Sequence, residues 1–243
     1  MYLNCHTYYS LRFGTLSEVE LLKLAQENHV NHLVLTDINN TSAGLNFVRK
    51  APEFGVKPIL GIDFRNGVDQ CFVGIAKNNN GYQELNNFLS DHLHLEKKIK
   101  SQAPAFKDVY IIYPFQKVLL NGQKNFLEHE YIGISIRDLR RLPFSEILEY
   151  RDKLVVQQPV TFRNKRDFNA HRLLRAIDNN ILLSKLTPAE EADPEEKMLP
   201  LNDLKSAFSE YSFILENTER LLQSCNIFFD FSEERKPPTV LTR

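Results

Sequence analysis

Hydrophobic residues along the chain fall into two alternating patterns. The first consists of short runs rich in β-branched and aromatic residues, which predict strands. The predicted strands cover residues 2–8, 33–35, 58–62, 71–76, 109–113, 131–134 and 154–160. The second pattern consists of longer stretches with apolar residues three and four positions apart, which predict amphipathic helices.

The predicted helices have recognisable start and stop signals. Ser17 and Glu20 have the spacing of a capping box, which favours a helix from there to about residue 28. Gly55 is placed to end a helix over residues 42–54. Further helices are predicted over residues 82–98, 137–150 with an interruption at Pro143, 166–181, 202–211 and 213–225.

This alternation of strands and helices predicts an α/β fold with a parallel sheet closed into a barrel. An open, doubly wound sheet is the alternative. One domain is expected over residues 1–231, with the barrel ending near residue 181 and a helical extension at residues 202–225. Residues 232–243 are charged and contain two consecutive prolines, so we expect a linker there.

Composition narrows the functional classes. The net charge of −1 gives no overall attraction to nucleic acid, so DNA contact would depend on local clusters such as Arg137, Arg140 and Arg141. Solvated helix faces explain those clusters equally well. No apolar run approaches the length of a membrane span, so no membrane contact is expected. The three cysteines, Cys5, Cys71 and Cys225, are far apart, which favours reduced thiols in a cytoplasmic protein.

Three polar residues lie at or near the C-terminal ends of predicted strands. They are His6, Asp37 and Asp63. In β/α proteins the C-terminal ends of strands meet at one edge, so these side chains form a candidate site. Imidazole and carboxylate ligands suit Mn, Fe or Zn. The alternative is structural: Asp37 caps the following turn and His6 bonds to the backbone.

Several segments resemble the PHP (polymerase and histidinol phosphatase) domain, especially the version found at the N-terminus of bacterial DNA polymerase III alpha subunits. The segments are NCHTYYSLRFG at residues 4–14, LTDIN at 35–39, GVKPILGID at 55–63, AKNNNGY at 76–82 and AHRLLRAI at 170–177. The resemblance keeps their order and spacing. It implies a distorted seven-stranded β/α barrel with a metal site, which some family members use for phosphoester hydrolysis or 3′–5′ exonuclease activity.

The same resemblance indicates that most metal ligands are missing from this chain. The positions where the family carries ligands and this sequence does not are Asn4, Phe13, Ile38, Cys71, Phe115, Pro159 and Thr161. Asp63 stands where the family has a glutamate. Only His6, Asp37 and Asp63 could form a residual site, and a multinuclear hydrolytic centre needs more ligands than these. We therefore expect a degenerate site with no catalytic residue and no cofactor, or at most one divalent ion.

The resemblance implies a role within a larger polymerase chain. The expected role of these residues is structural, or docking of the polymerase region of the same chain, a proofreading exonuclease or another replisome subunit. Deoxynucleotide polymerisation and DNA contact would belong to the full-length protein. Two alternatives remain: a metal-dependent phosphoesterase or 3′–5′ exonuclease with a minimal site, and a small independent protein with an unrelated binding role.

Overall fold

Eight strands form one curled sheet in the computed structural model, which describes residues 1–231. The predicted linker at 232–243 lies outside the described residues. The strands are β1 (Tyr2–Cys5), β2 (His32–Leu35), β3 (Lys57–Asn66), β4 (Asp69–Ala76), β5 (Val109–Pro114), β6 (Glu130–Ile134), β7 (Leu154–Val156) and β8 (Pro159–Val160). Their order across the sheet is β7-β6-β5-β4-β3-β2-β1-β8.

The two edges of this sheet are joined by only two residues. The predicted strand at 154–160 is divided at Gln157 and Gln158, so that β7 pairs with β6 and β8 pairs with β1. This division accounts for eight strands where seven were predicted. The chain itself thereby links the first and last strands of the order, and the predicted PHP-type barrel is confirmed.

The prediction of a wholly parallel sheet is wrong. β4 runs antiparallel to both β3 and β5, while the other neighbouring pairs are parallel. Gly67 and Val68 alone connect β3 to β4, and a parallel pair would need a crossover of a dozen residues or more. Gly67 has a φ of +64°, a conformation that glycine adopts without strain in tight turns.

Seven helices accompany the sheet within residues 1–231. They are α1 (Glu18–Glu27), α2 (Gly44–Lys50), α3 (Asn79–His94), α4 (Phe115–Asn121), α5 (Lys165–Asp178), α6 (Leu201–Ala207) and α7 (Ser212–Ser224). Both hydrogen bonds of the predicted capping box at Ser17 are present. Gly55, at a φ of +68°, ends a 3-10 turn that continues α2 through Pro52.

Two helix predictions need correction. Residues 137–150 form a series of 3-10 turns instead of a helix, because Pro143 cannot donate a backbone hydrogen bond in the middle of the segment. The helix α4 was not predicted. Its seven residues are too few to show a clear periodic pattern.

The inside of the sheet is filled by aliphatic side chains from six strands. They are Leu3, Val34, Ile59, Val73, Ile75, Ile112 and Val155. Leu221, Leu222 and Cys225, from the end of α7, join the same cluster. The helical extension therefore packs on the barrel. Within residues 1–231 no helix is long and apolar enough to cross a membrane.

Candidate functional site

The structure brings two of the three predicted site residues into direct contact. His6 follows β1 immediately, and its Nε2 lies 3.0 Å from Oδ2 of Asp63. Both side chains are completely buried. The sequence predicted Asp63 at the end of a strand, but the residue lies inside β3. The hydrophobic pattern stops at Asp63, but backbone pairing with β4 carries the strand three residues further to Asn66.

A buried cation that sequence reasoning missed shares this carboxylate. Arg65 donates from Nε at 3.0 Å and from Nη2 at 2.7 Å to the same Oδ2 of Asp63. Gln70, on the neighbouring strand β4, donates from Nε2 at 2.9 Å to that oxygen as well. We call His6, Asp63, Arg65 and Gln70 the Asp63 cluster. Four nitrogen contacts therefore converge on one oxygen atom.

The electrostatics of the Asp63 cluster favour an ionised carboxylate. Burial alone would raise the pKa of Asp63, but the Arg65 guanidinium and the His6 imidazole outweigh that effect and hold it well below its ordinary range. Burial alone would lower the pKa of Arg65, but the negative charge of Asp63 outweighs that effect and raises it. Arg65 is only 8% exposed, so the pair is an internal salt bridge.

The other oxygen of Asp63 has no hydrogen-bond donor among the described residues. Asp63 Oδ1 is buried and unpartnered, and so is Nδ2 of Asn4, whose Oδ1 accepts from Thr36. A free acceptor could in principle coordinate a cation. The described residues contain no group of three or more His, Cys, Asp or Glu side chains placed to share a cation with it. Arg65 also places a positive charge on the same carboxylate.

Asp37 is used for a different purpose. Its Oδ1 accepts from the Thr7 backbone N–H at 2.6 Å and from the Ser10 hydroxyl at 2.7 Å, and its Oδ2 accepts from the Thr7 hydroxyl at 2.7 Å. Burial raises the pKa of Asp37, although these hydrogen bonds oppose the change. No side-chain hydrogen bond joins Asp37 to His6 or Asp63 within residues 1–231, although the Asp63 backbone N–H donates to the Asp37 carbonyl at 3.3 Å. Asp37 thus anchors the turn that follows β1, and that turn ends the predicted strand at Cys5.

A hydrogen-bonded chain leaves the other side of His6. Nδ1 of His6 lies 2.9 Å from the Thr161 hydroxyl, which lies 2.5 Å from Oε2 of Glu196. Burial raises the pKa of Glu196. Because the Thr161 hydroxyl has a single proton, it donates in one direction and accepts in the other. The proton positions on His6 and Glu196 are therefore linked.

Phe13 packs against the cluster where the family resemblance implies an acidic ligand. The Arg65 guanidinium carbon lies 4.9 Å from the Phe13 ring centroid, and the His6 ring meets Phe13 edge-on at 5.7 Å. His171 also packs against Phe13, with ring centroids 4.6 Å apart and the planes at 81°. Its Nδ1 donates to the Phe13 carbonyl and its Nε2 accepts from the Ala192 N–H. This neutral pattern agrees with burial, which lowers the pKa of His171 to about 4.

The remaining positions of the expected ligand set carry no imidazole or carboxylate. Ile38 forms a backbone bridge with Asp63. Cys71 is a buried thiol that contacts Asn66 and the Ile99 carbonyl. Phe115 is buried at the start of α4, and Pro159 begins β8. Cys5, Cys71 and Cys225 are all free thiols.

Sequence reasoning missed Arg65, Gln70 and Glu196. A signal existed for Arg65, because residues two apart on a strand lie on the same face and Asp63 and Arg65 have that spacing. No comparable signal existed for Glu196, which is far from His6 along the chain.

Comparison with known proteins places these features in a family. The PHP domain model matches residues 3–125. The DNA polymerase III subunit alpha of Ureaplasma parvum is 26% identical over 86% of this chain and 20% of its own length. The corresponding subunit of Halalkalibacterium halodurans is 22% identical over 98% of this chain and 24% of its length, and that of Staphylococcus aureus Mu50 is 25% identical over 97% and 22%.

The chain spans about a fifth to a quarter of the length of these relatives. The match to the family model covers β1 through α4 and includes His6, Asp37, Asp63 and Arg65. It agrees with the curled sheet and with the strand-end placement of His6. The chain belongs to the PHP domain family.

Proposed function

We propose that these residues form a non-hydrolytic PHP domain with a structural or docking role in a DNA polymerase III alpha subunit. The observation that carries the proposal is the buried Arg65–Asp63 ion pair. In this proposal the guanidinium supplies the positive charge that a metal ion supplies in active relatives. The barrel then keeps a neutralised interior without binding a cofactor.

The coordination chemistry supports this role. Generating hydroxide from water requires a cation held by several ligands with an open coordination position. Here His6 and Gln70 point hydrogen-bonding nitrogens at the same Asp63 oxygen that Arg65 occupies. A metal ion at that oxygen would be repelled by the guanidinium. Asp37 is fully engaged by Thr7 and Ser10.

The relatives support the wider context of the proposal. They are named as DNA polymerase III alpha subunits and are four to five times longer than the matched region. We place the domain in such a polymerase chain in the cytoplasm, where it stabilises or docks the polymerase region, a proofreading exonuclease or another replisome subunit. DNA contact and nucleotide polymerisation would be properties of that longer chain.

A metal and activity assay on the 243-residue protein tests the proposal. We expect well under one equivalent of Mn, Zn or Fe by elemental analysis after dialysis against each ion. We also expect no hydrolysis of a phosphoester or of single-stranded DNA with added Mn²⁺. Stoichiometric metal, with turnover that disappears in His6→Ala, would overturn the proposal.

The unpartnered Asp63 Oδ1 favours one competing function, a minimal-site phosphoesterase with a single ion. The structural domain and the minimal-site phosphoesterase predict different results for Arg65→Met. A scaffold loses stability and gains no activity, whereas a minimal metal site that Arg65 suppresses would bind metal more tightly in this variant. Elemental analysis of wild type and Arg65→Met side by side separates them.

A further inference from the structure

A second site lies beside the Asp63 cluster. A cavity of about 470 Å³, the rim cavity, opens at the C-terminal ends of β5 and β6 and at the bend between β7 and β8. Its walls include Gln70, Phe115, Ile136, Gln157, Gln158 and Leu199. Its volume is in the range of small-molecule sites. Gln70 belongs to both sites, and Glu196 in the lining is linked to His6 through the Thr161 hydroxyl, while the other walls take no part in the Asp63 cluster.

The polar wall of the rim cavity is rich in hydrogen-bond acceptors. Gln157 uses its amide N–H₂ toward Gln70 at 3.4 Å, and Gln158 donates to the Glu195 carbonyl at 3.2 Å. The side-chain oxygens of Gln157 and Gln158 accept no hydrogen bond from any residue in the range 1–231. Both residues are mostly buried, but these two oxygens remain accessible to solvent, so their acceptor capacity is open to a ligand in the cavity.

The charge of the rim cavity is strongly biased. Its lining contains four carboxylate side chains and one cationic side chain, Arg137. The carboxylates are those of Asp138, Asp193, Glu195 and Glu196. Arg137 pairs with Asp193, and Lys197, which lies outside the lining, forms an ion pair with Glu195 at 3.6 Å. Asp138 and Glu196 have no ion-pair partner within residues 1–231, although burial raises the pKa of Glu196. The lining therefore keeps a negative bias, which disfavours phosphate and other anions.

These observations define a ligand by its chemistry. Unused acceptors and excess carboxylate call for a cation that carries several N–H donors. The apolar walls formed by Phe115, Ile136 and Leu199 suit a short methylene stem. Arg137 shows that a guanidinium group can bind here, since it forms an ion pair with the carboxylate of Asp193.

We propose that the rim cavity is a binding site for an aliphatic guanidinium or ammonium group. The group comes either from a free small molecule or from a basic side chain of a partner protein. In both cases Arg137 is a competitor for the site and not a ligand-binding residue. This assignment is independent of whether the Asp63 cluster binds metal.

If Arg137 competes with the ligand, removing its side chain must increase the affinity for a guanidinium group. The full chain is titrated with agmatine, with an end-blocked Gly-Gly-Arg-Gly peptide and with inorganic phosphate, using calorimetry at low ionic strength. We expect the guanidinium probes to bind with a Kd of about 1 mM or tighter. We expect phosphate to show no binding. Binding of agmatine but not of the peptide indicates that the ligand is a free small molecule. Binding of the peptide indicates that the ligand is a basic side chain of a partner protein.

Two variants then change the charge of the rim cavity in opposite directions. Arg137→Ala should tighten guanidinium binding about threefold to tenfold, and Glu195→Gln should weaken it by a similar factor, as expected for one charge in a partly solvated site. Both side chains are largely exposed, at 69% and 70%, so neither change endangers folding. Arg140→Ala and Glu149→Gln are matched controls outside the cavity lining and should leave the Kd unchanged.

Four results would overturn the proposal. The first three are the absence of binding by both guanidinium probes, phosphate binding that Arg137→Ala abolishes, and weaker guanidinium binding in Arg137→Ala. Equal effects from the control variants would show that overall charge, and not the rim cavity, determines binding, which also overturns it.

Discussion

Replacing Arg65 by methionine removes the buried cation while keeping most of its aliphatic stem. The stem continues to fill the space beside Phe13, so the main loss is electrostatic. Asp63 stays behind as a fully buried carboxylate with an unpartnered Oδ1. We expect Arg65→Met to destabilise the fold substantially at neutral pH.

The magnitude follows from the contacts that are lost. Removing one partner of a buried ion pair costs about 3–5 kcal/mol in free energy of unfolding. His6 and Gln70 still donate to Asp63 Oδ2, at 3.0 and 2.9 Å, so we expect the lower end, about 3 kcal/mol. Asp63→Asn should also destabilise, because it leaves the Arg65 charge unpaired. The double variant should recover part of the loss, since the two single changes remove the same interaction.

Urea unfolding of the wild type, both single variants and the double variant measures this coupling. The pH dependence has a fixed sign because the pKa of Asp63 is depressed in the fold by Arg65 and His6 against the opposing effect of burial. The stabilisation is complete above the unfolded value of about 3.9 and declines as pH falls from there through the folded value. A loss below about 1 kcal/mol in Arg65→Met at pH 7, with an unchanged m-value, would refute the reasoning.

Two further predictions concern buried polar groups near the Asp63 cluster. Because burial lowers the pKa of His171 to about 4, the free energy of unfolding should fall by about 3 kcal/mol as pH drops from about 6.5 to 4. In urea unfolding measured at a series of pH values, His171→Asn should remove this pH dependence of the free energy of unfolding. The exposed His29→Asn should retain it. A pH dependence unchanged in His171→Asn would contradict a lowered pKa for His171. Asp37→Ala should cost about 2–3 kcal/mol, because it leaves donors of Thr7 and Ser10 without an acceptor. Thermal or urea unfolding measures the cost, with exposed Asp91→Ala as the control, and equal stability of the two variants would contradict the anchoring role.

Local signals in the sequence account for much of the fold. The capping box at Ser17 and the glycine stop at Gly55 are both present, because each depends on residues next to one another along the chain. The hairpin of β3 and β4 was harder to predict. The ends of the strands next to the turn carry Arg65, Asn66 and Gln70, so a search for hydrophobic runs ends β3 too early and begins β4 too late.

The site was only partly predictable for a related reason. The strand-end rule identified His6 and drew attention to Asp63, but it could not show that Asp37 bonds to the turn after β1. Nor could it show that Arg65 is buried, since an arginine on a strand usually faces solvent. The link from His6 through Thr161 to Glu196 depends on tertiary contact between segments more than 150 residues apart. Sequence pattern contains no information of that kind.

The hairpin of β3 and β4 has a consequence for the order of assembly. Asp63, Arg65 and Gln70 lie within eight consecutive residues, and Arg65 pairs directly with Gln70 across the two strands. Hairpins form within microseconds, before distant segments of a chain meet. The acid and its guanidinium partner can therefore neutralise each other as this hairpin closes, before β1 delivers His6. A site built around a metal ion must wait for ligands from several strands, whereas this one completes its charge balance within a single short segment.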